Sequence, residues 1–191
     1  MYVPTSQPQD AMLSMAQEFA DGLGGVLTPG ARVQSLNAYM SVQGSKQGVF
    51  KGEGARPGQI SILQFTYEVK APRDVATGQA AGRRLHSPVM VTKELGAASP
   101  QLFTALVANE TLPSVQIQFF RTRVDGREEL YHTVRLTNAT VVQVRHYMRN
   151  PEVVGLSPGR ALEDVAFTFQ RIEIQNNVGK TMGIDDWSGA S

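Results

Sequence analysis

The chain of 191 residues contains no cysteine. That excludes a disulfide framework, a thiolate nucleophile and any zinc or iron–sulfur site built on cysteine, and it is compatible with folding in the cytoplasm. Charge of one sign is also lacking: 18 Lys and Arg stand against 17 Asp and Glu, a formal net charge of +1. With the basic residues scattered rather than blocked, no field strong enough to collect nucleic acid or an anionic membrane arises. The first 31 residues hold Asp10, Glu18 and Asp21 but no Lys or Arg, so the basic start of a secretory signal or transit peptide is missing. No apolar run has the length of a membrane-spanning helix. The expectation is a protein that, if exported, leaves by a route that reads the folded molecule.

What is present is enough for one core: 41% hydrophobic and 7% aromatic residues in the size range of a single ordinary domain with an appendage. Low surface charge suits a molecule that buries itself against its own copies. Residues 1–9 are rich in Pro and Gln, after which Asp10 is placed to cap a short helix over 10–22, with Met12, Met15, Phe19 and Leu23 on one stripe. That stripe is expected to dock on its own domain, a neighbouring subunit or a partner, because it lacks the basic residues of a membrane-surface helix. Gly24-Gly25 and Thr28-Pro29-Gly30 read as a hinge.

From residue 36 onward the periodicity changes to that of strands. Segments 36–42, 59–69, 89–95, 141–147 and 165–174 read as β, the second with imperfect alternation suggesting a bulge. The segment 70–84 has neither periodicity and is too long for a simple turn. Ser99-Pro100 predicts a helix start in which the serine accepts free amide hydrogens, with Leu102, Phe103, Leu106 and Val107 as the apolar face and an end near Asn109. Val115, Ile117 and Phe119, the turn pair Asp125-Gly126, then Leu130, His132, Val134 and Leu136 predict a hairpin. The fold expected is mainly β: a small antiparallel β-barrel or sandwich with one flanking α-helix, plus the short amino-terminal helix.

Searches for chemistry find little. His86, His132 and His146 have no partner spacing suited to a metal or a catalytic relay, and read as ordinary surface or strand histidines. Gly179-Lys180-Thr181 imitates the end of a phosphate-binding loop, but Ile174 occupies the place of the leading glycine. No Gly-x-Ser-x-Gly elbow occurs. The acidic pairs Glu128-Glu129 and Asp185-Asp186 read as a solvated turn and tail, since neighbours on a strand point to opposite faces. Asn109-Glu110-Thr111 and Asn138-Ala139-Thr140 fit the glycosylation pattern in a chain that otherwise lacks the marks of the secretory pathway. No catalytic residue, metal site or cofactor is expected.

Longer strings carry more information. Val91-Thr92-Lys93-Glu94-Leu95 followed by Ser99-Pro100-Gln101-Leu102-Phe103-Thr104-Ala105-Leu106 resembles the threonine–lysine–glutamate strand and serine–proline helix start of the haemolysin-coregulated protein (Hcp) family. Lys51-Gly52-Glu53-Gly54, Phe120-Arg121-Thr122, Gly126-Arg127-Glu128-Glu129, Tyr131, Leu136-Thr137-Asn138-Ala139, Val141-Val142, the run 163–172 and Asp185-Asp186-Trp187 resemble further family segments in the family's order. The resemblance covers residues 36–188, leaving 1–35 as an extension and 189–191 as a tail. It implies a phage tail-tube-like barrel that assembles with itself into hexameric rings. The rings stack as the inner tube of a type VI secretion system, inside a contractile sheath and behind a tip, and are expelled with effector proteins after assembly in the bacterial cytoplasm. It implies no membrane insertion. Within that picture Lys70, Arg73, Arg83 and Arg84 of the 70–84 segment, and Trp187, are candidate subunit contacts. Two alternatives stand beside it: an effector or adaptor variant whose extension binds cargo or another apparatus component, and the tube protein of a related contractile injection particle.

Overall fold

The computed structural model describes residues 36–52, 56–148 and 161–187. The helix expected at 10–22, with Met12, Met15, Phe19 and Leu23, lies outside the described residues, as do the loop expected at 150–159, the tail 189–191, and Glu53 and Gly54.

The first strand, β1 (Leu36–Gly44), pairs antiparallel with short β2 (Gly48–Val49), with β3 (Ile60–Ile62) and with β8 (Thr111–Thr122). β8 runs through a turn at Gly126, φ +83°, into β9 (Glu128–Met148), the hairpin foreseen from the Asp125-Gly126 pair. β9 then pairs β10 (Ala161–Thr168), which pairs β7 (Val89–Glu94), which pairs β4 (Gln64–Thr66). β3 and β4 are parted only by Leu63, whose N–H donates to the Thr92 carbonyl at 2.7 Å. One interrupted strand therefore bonds β1 with its first half and β7 with its second, and the sheet closes on itself as a barrel. β5 (Val69–Lys70) and β6 (Leu85–His86) form a separate two-stranded ribbon. β11 (Arg171–Asn176) bonds the first half of β9, and β12 (Thr181–Asp186) bonds β11.

Three expectations change here. Segments 130–136 and 141–147 are one strand, because Asn138 adopts φ +49° and bends β9 without ending it; Asn tolerates this left-handed conformation better than most residues. Segment 165–174 is two strands, broken at Phe169-Gln170, and the break faces the bend: the Asn138 amide donates to the Gln170 side chain at 2.8 Å, and the Gln170 N–H to the Thr137 carbonyl. Segment 59–69 is β3, β4 and the start of the ribbon rather than one bulged strand.

The core is filled by inward residues of every wall, among them Met40, Val42, Ile60, Val91, Ile117, Leu136, Val165 and Phe167, all fully or nearly fully buried. The helix α1 (Ser99–Val107) covers one flank with Leu102 and Ala105. Phe103 and Val107, expected on the apolar face, are 55% and 67% exposed; the packed stripe is narrower than the apolar one. Asn109 ends the helix at φ +46°, with its N–H to the Leu106 carbonyl and that of Glu110 to the Ala105 carbonyl, a left-handed stop in which Asn replaces the usual glycine.

Candidate functional site

Ser99 does not cap the helix; Ala98 holds that position and no side-chain cap bond forms. The Ser99 hydroxyl instead donates to Glu163 Oε1 at 2.6 Å, and accepts from Lys93 Nζ at 3.2 Å and from the Gly96 N–H at 2.9 Å. Lys93 Nζ lies 2.6 Å from Glu163 Oε1, with side-chain exposures of 1% and 0%. Beside this pair the Thr92 hydroxyl donates to Asp164 at 2.7 Å. Lys93, Ser99 and Glu163 thus form one buried polar knot joining β7, α1 and β10, with the Thr92–Asp164 pair on the other face of the same two strands. A serine and a lysine in contact are the parts of a nucleophile and its base, but here both are sealed under the helix, out of reach of a substrate. The knot fixes the fold.

The surface feature is the segment 70–84. It is not a shapeless excursion: the ribbon β5–β6 continues through an Arg73–Ala80 bridge to a tight turn, so that residues 68–86 form an ordered arm in which 73–85 are all exposed. Lys70 pairs with Glu68 at 3.1 Å, and Arg73 reaches the Gly78 carbonyl at 3.4 Å. These two are spread along the arm. Arg83 and Arg84 are brought together with Trp187 at its foot, where with His86 they line a shallow cleft.

That foot is latched. The Arg84 guanidinium donates through Nε and Nη2 to both carboxylate oxygens of Asp185, the forked geometry that makes such pairs directional. His86 Nε2 lies 2.8 Å from the same carboxylate and His86 Nδ1 lies 2.6 Å from the Tyr67 hydroxyl. The Arg84 hydrogen bonds hold the Asp185 carboxyl below the usual range against the opposing effect of burial, with His86 adding to them; burial, then the Asp185 charge, push the Tyr67 phenol up. The Trp187 ring lies against His86 at 5.4 Å between centroids, its backbone N–H donating to the Gln170 carbonyl, and remains 54% exposed. With Pro88 and Phe169 these rings frame an apolar cleft of about 270 Å³.

Asp185-Asp186 is therefore not a solvated tail: both residues end strand β12, and Asp185 ties the arm to the terminal hairpin. Glu128 and Glu129 are engaged as well, with Arg56 and with Arg121. Sequence reasoning passed over His86, Tyr67 and Asp185 as a group because they lie far apart in the chain; the Asp-Asp-Trp string was the one signal of them. The strip β12 has β11 as its partner among the described strands and leaves its other edge open, with Met182 and Ile184 62% and 49% exposed.

Residues 39–175 match the family model described as "Type VI secretion system effector, Hcp". The chain is 38% identical over 162 residues to the "Major exported protein" of Pseudomonas aeruginosa strain PAO1, covering 78% of this chain and 94% of that protein. Among solved structures, a crystal structure of an Hcp protein superposes with a TM-score of 0.75 at 26% identity, over 80% of this chain and 98% of the other. The secreted protein Hcp3 of Pseudomonas aeruginosa gives a TM-score of 0.66 at 33% identity, over 80% and 99%.

Proposed function

The chain belongs to the Hcp family of the type VI secretion system, and from that premise we propose that it works as a structural subunit of the secretion tube. Copies join head to tail into rings, hexameric as the family resemblance implies, and the rings stack into a tube that carries effectors and is expelled by the sheath behind a tip. Assembly takes place in the cytoplasm and the folded subunit is exported through the secretion apparatus. No bond is made or broken and no cofactor is needed; the repeated interface is the working part, and a heterologous contact repeated around an axis closes a ring.

The observation that carries this reading is the latched arm. An ordered ribbon with almost no buried side chain of its own gains little from the barrel; the latch holds it in place, and a contact surface held in place before binding lowers the ordering cost of meeting a partner. Lys70, Arg73, Arg83, Arg84 and Trp187 are its proposed contact residues. The edge of β12 supports the same reading: natural edge strands are commonly blunted by charge, proline or a bulge, and the middle of β12, Met182-Gly183-Ile184, is apolar and in continuous register with β11, its charges Asp185 and Asp186 standing at the end. Deleting residues 71–82 should leave a folded barrel by circular dichroism but abolish rings by sedimentation and electron microscopy. Unchanged assembly would refute the arm's role.

The span of the family match, which begins at residue 39, favours a second reading for what precedes it. The extension 1–35, with Met12, Met15, Phe19 and Leu23, is then a recognition element for cargo or another component of the apparatus. Removing residues 1–31 should abolish partner capture while sparing the rings; altered ring or tube stability instead would make the extension structural.

A further inference from the structure

The tip of the arm is built with more care than a solvated turn requires. Asp74 Oδ1 accepts the N–H groups of Ala76 and Thr77, each at 2.8 Å, and the Thr77 hydroxyl at 3.1 Å. The Asp74 carbonyl accepts the Gly78 N–H at 2.8 Å, its own N–H donates to the Gln79 carbonyl at 2.8 Å, and Gly78 takes φ +69° to close the loop. The backbone N–H groups of Thr77 and Ala76 hold the Asp74 carboxyl below its usual range. Every bond in this turn is made without Val75, whose side chain is fully exposed at 102%. Turn tips favour Gly, Asn, Asp, Ser and Pro, and a stiff β-branched side chain held up in water on a preordered turn has the form of a knob.

A hole of matching chemistry lies elsewhere on the same molecule. Where the chain crosses from β3 to β4, Leu63 stands 55% exposed at the lip of an apolar cleft of about 290 Å³, walled by Ala38, Ile62, Phe65, Phe119 and Tyr131. Phe65 and Phe119, both in its wall, pack edge to face at 5.2 Å. Asn37 and Gln64 also line the cleft; the Asn37 amide donates to Glu128 at 3.1 Å, and its oxygen and the Gln64 amide are groups that the backbone of an incoming turn can bond. The cleft has room for an isopropyl group and part of the turn that carries it. The chain's own Val75, being fully exposed, does not fill it.

We propose that Val75, held up by the Asp74 turn, seats in the apolar cleft between β1, the β3–β4 crossing and β8 of a second copy of this chain. The inference rests on reading the arm as a contact between copies and adds the two surfaces that meet. A knob and a hole at different places on one chain make a heterologous contact, in which each copy gives one and receives one and the interaction repeats from copy to copy. The preformed turn lowers the ordering cost of each contact.

The absence of native cysteine makes the test direct. In the full chain carrying Val75→Cys and Leu63→Cys, oxidation should give a ladder of covalent multimers on non-reducing gels, because a disulfide demands Cα atoms within about 7 Å. Each single variant should stay monomeric under the same conditions. Independently, Val75→Asp should raise the concentration for half-assembly about tenfold, on the scale of one lost aliphatic contact, while Val75→Leu should leave it near the wild-type value. Dimers from Val75→Cys alone would mean that tip meets tip. A ladder from Val75→Cys with Ser87→Cys, but not with Leu63→Cys, would put the knob in the cleft at the arm's foot. Either result overturns the proposal, as does wild-type assembly of Val75→Asp. If deleting 71–82 abolishes rings yet no Val75–Leu63 link forms, the seat alone is wrong; if that deletion leaves rings intact, the arm reading itself falls.

Discussion

At Glu110, 1% exposed, one carboxylate serves a whole turn: it accepts the N–H groups of Lys46 and Gln47 at 2.6 and 2.9 Å and the Gln47 side-chain amide at 2.8 Å. Gly44 makes room for it, since a Cβ there would meet Glu110 Oε1 at 2.6 Å. Burial raises the Glu110 carboxyl, but the bonds from the Gln47 side chain and the two backbone N–H groups outweigh it and leave it lowered. Glu110→Ala strands those donors and should cost about 1–3 kcal/mol in urea unfolding. Because the folded-state pKa is the lower one, the contribution is complete above the unfolded value of about 4.3 and is lost as pH falls through the folded value. Wild-type and variant melting temperatures should accordingly differ at neutral pH and converge in acid. The Lys93–Glu163 pair makes a different prediction. Removing one partner, as in Lys93→Met, leaves a buried charge and should cost about 3–5 kcal/mol, whereas Lys93→Met with Glu163→Leu should recover part of that loss. Equal destabilisation in the single and double variants would refute the paired role.

Elements held by such residues differ in what ties them down. The arm has no core of its own, so its order depends on the latch, and Asp185→Asn should leave the barrel intact while speeding amide exchange across β5 and β6 two- to fivefold, the factor for a partly exposed ion pair of about 0.4–1 kcal/mol. The Asp185 carboxyl is also held low, so the latch should be closed above its unfolded pKa of about 3.9 and open as pH falls through the folded value; exchange measured along an acid titration checks this. The same contrast explains what could be read beforehand. The β8–β9 hairpin was legible because Val115, Ile117 and Phe119 alternate up to Asp125-Gly126, a local pattern with a local cause. The bend at Asn138 and the break at Gln170 were misplaced because each depends on the other across the sheet, and neither carries a glycine or proline. Ser99 looked like a cap because nothing in its neighbourhood announces Lys93 and Glu163 as its partners. The segment 70–84 is a contact candidate by its length, its charges and the family resemblance, but its ribbon is not legible in the sequence, since Arg73–Ala80 pairing follows no hydrophobic alternation. The latch joins residues about a hundred positions apart, Arg84 and Asp185, which no sequence pattern displays.

On the scale of the whole molecule, the barrel closes through β3 and β4, and the surfaces left open among the described residues include the arm, the edge of β12 and the cleft at Leu63. Their distribution suits a part that meets copies of itself on more than one side, and it agrees with membership of a secretion-system family. The Lys93–Glu163 pair is buried, while Arg83, Arg84, half-exposed Trp187 and the Met182 and Ile184 side chains of β12 stand at the surface. Negative-stain electron microscopy of the purified full chain tests this most directly. The account predicts uniform rings with an open centre, some of them stacked. A clean monomer at high concentration, together with turnover of a hydrolase substrate, would contradict it.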